Sequence, residues 1–138
     1  QRPVRELEEK LRPVETASGQ ISMEGYQVYE ADISGICGSR FRAVLGEELI
    51  LEYQDGRFEM RFTDQDKGSV SGGRGVRYVR LEKLEDVKIL TDVSSVEVFI
   101  NGGQYVFSTR YYPEKACVCV EAEGAYICFR AAGTVNNK

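Results

Sequence analysis

The sequence predicts an all-β fold, a two-sheet antiparallel β-sandwich preceded by a short helix. After Gly19, short runs of alternating apolar and polar residues follow one another, and Gly, Asn and Asp turns separate them, as in sandwiches and barrels. The residues before Gly19 show helical spacing instead. A chain of 138 residues, of which 42% are hydrophobic, can bury one core as a single compact domain.

The chain begins with an amphipathic segment that predicts a helix over residues 4–12. Pro3 suits the first helical position, and Pro13 stops the helix, because proline has no N–H for a helix interior. Three apolar residues share one face at helical spacing, namely Val4, Leu7 and Leu11. These features divide the chain into a linker helix at residues 1–13 and a sandwich at residues 14–138.

The clearest hairpin signal is Asp55-Gly56, because this dipeptide lies between two alternating runs. If these two residues form the turn, three apolar pairs face each other and build one apolar face. The pairs are Tyr53 with Phe58, Leu51 with Met60, and Leu49 with Phe62. Ile50 is the apolar exception on the opposite face.

Residues 117–129, CVCVEAEGAYICF, predict a further hairpin that turns at Glu123-Gly124. In that register Cys119 faces Cys128. Alternation gives the core face four apolar residues, namely Val118, Val120, Ile127 and Phe129. Opposed Cβ atoms lie about 4.5–5.5 Å apart, whereas a disulfide prefers roughly 3.8 Å. We therefore expect the four cysteines to be free thiols in a cytoplasmic protein.

The composition argues against several classes of function. The net charge is −4, whereas nucleic-acid binding usually shows as a basic patch, so no nucleic-acid partner is predicted. No stretch approaches about 20 apolar residues, so no membrane span is predicted. The chain contains no His, which removes the commonest general base and the commonest metal ligand.

Two spacings that could suggest metal sites do not complete a site. Cys117-x-Cys119 is tighter than a zinc half-site. Residues 64–68, DQDKG, begin like a calcium loop, but Gly75 stands where the bidentate acid would be required. We therefore predict no metal and no cofactor.

Residues 88–113, KILTDVSSVEVFINGGQYVFSTRYYP, resemble the signature of the C-terminal domain of glycoside hydrolase family 32. That family includes invertases, sucrose-6-phosphate hydrolases and fructan hydrolases. The opening QRPVREL is similar to the junction where the family's catalytic propeller passes into the sandwich. Together the two matches span nearly the whole chain. Between them the match is looser, since Arg61-Phe62 stands near the place of a family Asp-Arg pair.

The resemblance implies a domain without catalytic residues of its own. In the family these residues lie in a five-bladed propeller, within Asn-Asp-Pro-Asn, Arg-Asp-Pro and Glu-Cys motifs, and none of the three motifs occurs here. We therefore predict that this chain alone is not an enzyme and that its parent is a retaining β-fructofuranosidase. Family-motif residues, expected to be structural or weakly sugar-binding, are Asp92, Ser95, Glu97, Phe99, Asn101, Arg110 and Tyr112.

The family's Asp-Gly turn implies a hairpin that turns here at Gly102-Gly103. This register pairs Phe99 with Val106 and Glu97 with Ser108, and it places Arg110 diagonal to Glu97. Asn101-Gly102 is the rival turn by type I′ preference, and it would shift the pairing by two. An ion pair between the two diagonal residues would be worth about 0–1 kcal/mol if exposed.

Two functions from different classes follow from the resemblance. As a structural domain, the sandwich covers one side of the catalytic propeller of the same parent chain and takes part in a homodimer. The alternative is a fructan- or fructose-binding module, whose site would need an exposed tyrosine beside fixed polar groups. A third interpretation is an unrelated concanavalin- or lectin-like sandwich. Because the chain begins with Gln1 and shows no signal peptide, we expect a fragment of a cytoplasmic protein.

Overall fold

The computed structural model describes residues 11–36, 40–63, 76–92, 94–110 and 115–132. These residues contain ten β-strands and no α-helix. The strands are β1 (Arg12–Glu24), β2 (Tyr29–Ser34), β3 (Arg40–Leu45), β4 (Leu49–Gln54), β5 (Arg57–Phe62), β6 (Arg77–Arg80), β7 (Val87–Thr91), β8 (Ser95–Ile100), β9 (Tyr105–Arg110) and β10 (Cys117–Ala131). Within this part of the chain, no helix has the length and apolar character needed to cross a membrane.

All strand pairings are antiparallel, in the order β6-β5-β4-β3-β10-β2-β7-β8-β9, with β1 beside β10. β10 joins two halves, because residues 118–121 pair with β3 whereas residues 126–131 pair with β2. We call β3–β6 the first sheet and β2 with β7–β9 the second sheet. β1 and β10 extend through both.

The core lies between the two sheets. The rings of Phe58 in β5 and Phe107 in β9 have centroids 5.9 Å apart, which brings the inner faces of the sheets into contact. At the edge, Arg77 of β6 donates a hydrogen bond to the carbonyl of Ser108 in β9. The largest fully buried side chains come from both sheets and from β10, and include Phe41, Leu45, Leu51, Ile33, Ile89, Ile100, Ile127 and Phe129. The predicted two-sheet antiparallel sandwich is confirmed.

The Asp55-Gly56 hairpin has the predicted register. Asp55 and Gly56 have φ angles of 55° and 80°, the positive values that a type I′ turn requires. All three predicted apolar pairs are observed across β4 and β5: Tyr53 with Phe58, Leu51 with Met60, and Leu49 with Phe62. Ile50 lies opposite Arg61 on the other face, as predicted.

The predicted hairpin at Glu123-Gly124 is wrong, because β10 runs on through these residues as one strand of 15 residues. Gly124 adopts a φ of 81°, and Glu123 and Gly124 are both exposed. Beyond this point the pairing with β1 jumps from Gln20–Glu121 to Ser18–Tyr126. The two residues therefore form an irregularity of the bulge type, where the strand bends from one sheet into the other.

The predicted cross-strand pairing of Cys119 with Cys128 is also wrong, because it depended on that hairpin. Cys119 lies opposite Ser22 and Cys128 lies opposite Thr16, both in β1, so the two thiols are not cross-strand neighbours. Together with Cys117 they are free cysteines; Cys37 lies outside the described residues. The predicted core face is nevertheless confirmed, since Val118, Val120, Ile127 and Phe129 are all buried.

The predicted N-terminal helix lies mostly outside the described residues, which begin at Leu11. Leu11 is buried, and Arg12 already belongs to β1. The helix therefore does not reach Arg12. Pro13 is tolerated in the strand because it stands at the strand's beginning, where the pairing with β10 shifts before Glu15.

Candidate functional site

The motif segment forms the β7–β8–β9 part of the second sheet. Its hairpin turns as predicted at Gly102-Gly103, whose φ angles of 71° and 93° suit glycine. Phe99 lies opposite Val106 and Glu97 lies opposite Ser108. The rival turn at Asn101-Gly102 is therefore wrong. Asn101 also has a positive φ, 53°, but it lies before the centre of the turn.

Asp92 closes the connection between β7 and β8. Its Oδ1 accepts hydrogen bonds from the Ser94 amide at 2.9 Å, the Ser95 amide at 3.0 Å and the Ser95 hydroxyl at 3.1 Å. The Asp92 amide in turn donates to the Ser95 carbonyl at 3.0 Å. Asp92 and Ser95 therefore act together as a local turn, the usual use of an aspartate in this position.

Asn101 connects the β8–β9 turn to the segment before β7. Its Oδ1 accepts from the Glu85 amide at 2.7 Å and the Asp86 amide at 3.3 Å, and its Nδ2 donates to the Lys83 carbonyl at 2.9 Å. Asp86 adds a second link between the same two segments, because its Oδ1 accepts a hydrogen bond from the Gly102 amide at 2.8 Å. This side chain therefore satisfies backbone groups of an irregular segment.

Three further motif residues lie on β8 and β9. Phe99, Glu97 and Arg110 project from the outer face of the second sheet, and Arg110 lies opposite Ser95, diagonal to Glu97, as predicted. Their ion pair stays a prediction, and Tyr112 lies outside the described residues. β8 separates Asp92 from Asn101 by roughly 20 Å, so these two described residues do not lie at one site.

Glu30 of β2 is a functional candidate that the sequence analysis missed. Its side chain is only 1% exposed. Arg130 Nη1 lies 3.5 Å and Lys88 Nζ 4.0 Å from its Oε2. Burial, together with a hydrogen bond and charge repulsion from Asp32, raises the pKa of Glu30 to about 7, although the charges of Lys88 and Arg130 act in the opposite direction.

No sequence signal would have identified Glu30. Tyr29, Ala31 and Ile33 alternate into the core, which assigns Glu30 to the outer face of the strand. Its cross-strand neighbour Leu90 is buried as well, so this part of the outer face is covered. A carboxyl with a raised pKa is a candidate general acid, but a side chain this buried has no access to a substrate.

Among the described residues, two of the surface grooves are considered as candidate binding sites. The first-sheet groove has a volume of about 560 Å³ and is lined by Glu52, Gln54, Asp55, Arg57, Glu59 and Arg80. The second-sheet groove has a volume of about 360 Å³, and its lining includes Asp32, Ser34, Asp86, Lys88 and Phe99. Phe99 is thus the described motif residue that lines one of these grooves. Among the described residues, no cluster of three or more acidic or cysteine side chains could hold a metal ion.

Known proteins resemble this chain in sequence and in fold. The family model described as "Glycosyl hydrolases family 32 C terminal" matches residues 47–136. The sucrose-6-phosphate hydrolase of Bacillus subtilis (strain 168) is 49% identical over 37 residues, which are 27% of this chain and 8% of that protein.

Solved structures extend the similarity to nearly the whole chain. The sucrose-6-phosphate hydrolase from Lactobacillus gasseri matches 94% of this chain with a TM-score of 0.70 and 17% identity, over 30% of its own length. A glycoside hydrolase family 32 protein from Bifidobacterium adolescentis matches 94% with a TM-score of 0.65 and 17% identity, over 23% of its length. The chain therefore spans less than a third of these relatives. Since the family model covers more than half of it, this chain belongs to the C-terminal domains of glycoside hydrolase family 32.

Proposed function

We propose that this domain is the non-catalytic part of a larger fructoside-hydrolysing glycosidase of the sucrose-6-phosphate hydrolase or invertase type. In this proposal it stabilises the catalytic propeller of the same parent chain. The family match over residues 47–136 is the observation that carries the proposal. The activities for which the relatives are named, sucrose-6-phosphate hydrolase and β-fructofuranosidase, supply the substrate class.

The geometry of the motif residues supports a structural role. The side chains of Asp92 and Asn101 form hydrogen bonds with backbone groups of the same domain. A retaining glycosidase needs two carboxyl groups about 5–5.5 Å apart that flank its substrate. Asp92 is already engaged by three donors from its own turn, and Glu30 is buried. Oδ1 of Asp92 and the buried carboxyl of Glu30 are therefore not placed for that chemistry.

The purified chain should not hydrolyse sucrose or sucrose 6-phosphate. The expected rate of glucose or glucose 6-phosphate release equals the no-protein control, because the three propeller motifs are missing from the sequence. A coupled glucose assay on protein purified through two orthogonal columns measures this. Turnover that follows the chain through both columns and scales with its concentration would contradict the proposal.

The stabilising role has its own experiment in the parent enzyme. Deleting the segment that corresponds to this chain should lower the unfolding midpoint of the remaining catalytic domain, because apolar surface that the sandwich covered becomes exposed. Differential scanning calorimetry of the full-length and truncated proteins measures the difference. An unchanged midpoint with unchanged sucrose hydrolysis would contradict it.

We also propose that the parent works in the cytoplasm, because the three described cysteines are thiols and reducing compartments keep them so. Thiol titration of the unfolded, never-reduced protein should then give four free thiols per chain, the full cysteine content of the sequence. Two thiols would mean that a disulfide involving Cys37 or another pair exists, and would count against the cytoplasm.

A further inference from the structure

The first-sheet groove has a composition unlike that of an ordinary apolar pocket. It lies on the outer face of β4–β6, beside the Asp55-Gly56 turn, and each of its six described lining residues is polar or charged. Two guanidinium groups, of Arg57 and Arg80, balance all but one of its three carboxylates. A groove with this mixture offers hydrogen-bond donors and acceptors side by side and has little net charge.

Ion pairs hold the Glu52, Arg57 and Glu59 side chains of this groove. Arg61 Nη1 bridges two strands, because it bonds Glu52 Oε1 at 3.1 Å and also contacts Glu59 Oε2. Arg57 Nε lies 3.3 Å from Glu59 Oε1, and Arg42 Nη1 lies 3.4 Å from Glu52 Oε2. Such partly exposed pairs add little stability. They do orient the Arg57 guanidinium and the carboxylates of Glu52 and Glu59.

An aromatic ring stands at the border of the groove. Tyr78 of β6 lies directly opposite Glu59 of β5, and the guanidinium carbon of Arg57 lies 3.9 Å from its ring centroid. The residue is still 53% exposed. The cation–π contact therefore orients the ring while more than half of the tyrosine stays accessible to a ligand.

We propose that the first-sheet groove binds a neutral sugar. Sugar hydroxyls donate and accept at once, which suits alternating guanidinium and carboxylate groups, and the apolar C–H face of a sugar ring can pack on the accessible part of Tyr78. A strongly charged ligand is disfavoured, because a phosphate would face Glu52, Asp55 and Glu59, and a cation would face Arg57 and Arg80. The volume of about 560 Å³ is in the range of small-molecule sites.

The proposal is tested by titrating the isotope-labelled chain with fructose, sucrose, 1-kestose and maltotriose while amide chemical shifts are recorded. The choice of the three fructosyl probes rests on the proposed function, whereas maltotriose tests the groove independently of it. We expect saturable shifts at amides of β4, β5 and β6 with at least one of these sugars. No saturable shift with any of them, or shifts confined to the second sheet, would overturn the proposal.

Variants assign the binding to the groove. Tyr78→Ala should weaken binding roughly tenfold, and Tyr78→Phe should keep most of it because the ring remains. Tyr126→Ala is the matched control, since Tyr126 is equally exposed, at 54%, but lies on β10. Equal losses in Tyr78→Ala and Tyr126→Ala would overturn the proposal. Should Tyr78→Ala fail to fold, Arg80→Ala replaces it with the same expectation of weakened binding at an exposed position of the groove.

Discussion

Glu30→Gln should make the protein more stable at pH 8 by about 2–3 kcal/mol and change its stability little at pH 4. The folded-state pKa of Glu30, about 7, lies above its model value of 4.5, so the folded protein holds this proton more tightly than the unfolded chain does. The stabilisation from the protonated form is fully present below pH 4.5 and is lost as the pH rises through 7. Glutamine resembles the protonated form at every pH.

Urea unfolding of both proteins at pH 4 and pH 8 measures this difference. Glu121→Gln is the matched control, because Glu121 is an exposed carboxylate of β10, and its removal should change the free energy of unfolding by less than about 0.5 kcal/mol at either pH. A loss of stability in Glu30→Gln that is equal at both pH values would show that the contacts with Arg130 and Lys88 outweigh the burial cost.

The pattern of β10 shows why a correct core face did not give a correct topology. A two-residue turn at Glu123-Gly124 and a bulge at the same place both reverse the alternation between inward and outward residues. Both therefore bury Val120 and Ile127, and the apolar pattern cannot distinguish them. The strand pairing distinguishes the bulge from the turn, because the two halves of β10 pair with β3 and β2 rather than with each other.

Local chemistry was sufficient where the turn itself specified the register. Asp55-Gly56 supplies two residues that accept positive φ, so the turn fixes the pairing of β4 with β5 without reference to any other strand. The β8–β9 register was also correct, but it depended on the family resemblance, because local preference favoured Asn101-Gly102. The roles of Asp92 and Asn101 needed the structure, since their partners are backbone groups that a sequence pattern does not show.

Neither Glu30 nor the first-sheet groove could be predicted from the sequence. Glu30 alternates outward along β2, and its burial arises from how the outer face is covered, which is a tertiary property. The groove combines residues of β4, β5 and β6 with the β4–β5 turn. Glu59 pairs with Tyr78, but residues 64–75 separate the two strands in sequence, so no short turn motif predicts this pairing. Long-range pairing of this kind leaves no periodic signal in one strand.

Phe129→Ala should destabilise the domain by about 3–5 kcal/mol, the usual cost of removing a fully buried phenylalanine ring. Phe129 is 0% exposed, and its ring centroid lies 5.0 Å from that of Tyr29 and 5.4 Å from that of Tyr26. It also stands in the half of β10 that pairs with β2, so the cavity would open beside the strand that joins the two sheets.

Urea unfolding followed by tyrosine fluorescence and by far-ultraviolet circular dichroism measures this loss. Tyr126→Ala, three residues earlier in the same strand, also removes an aromatic ring, but its side chain is 54% exposed, so the expected loss is below about 1 kcal/mol. The difference between the two variants isolates burial from strand propensity, since both place alanine in β10. Losses of similar size would mean that the ring of Phe129 is not enclosed by the core.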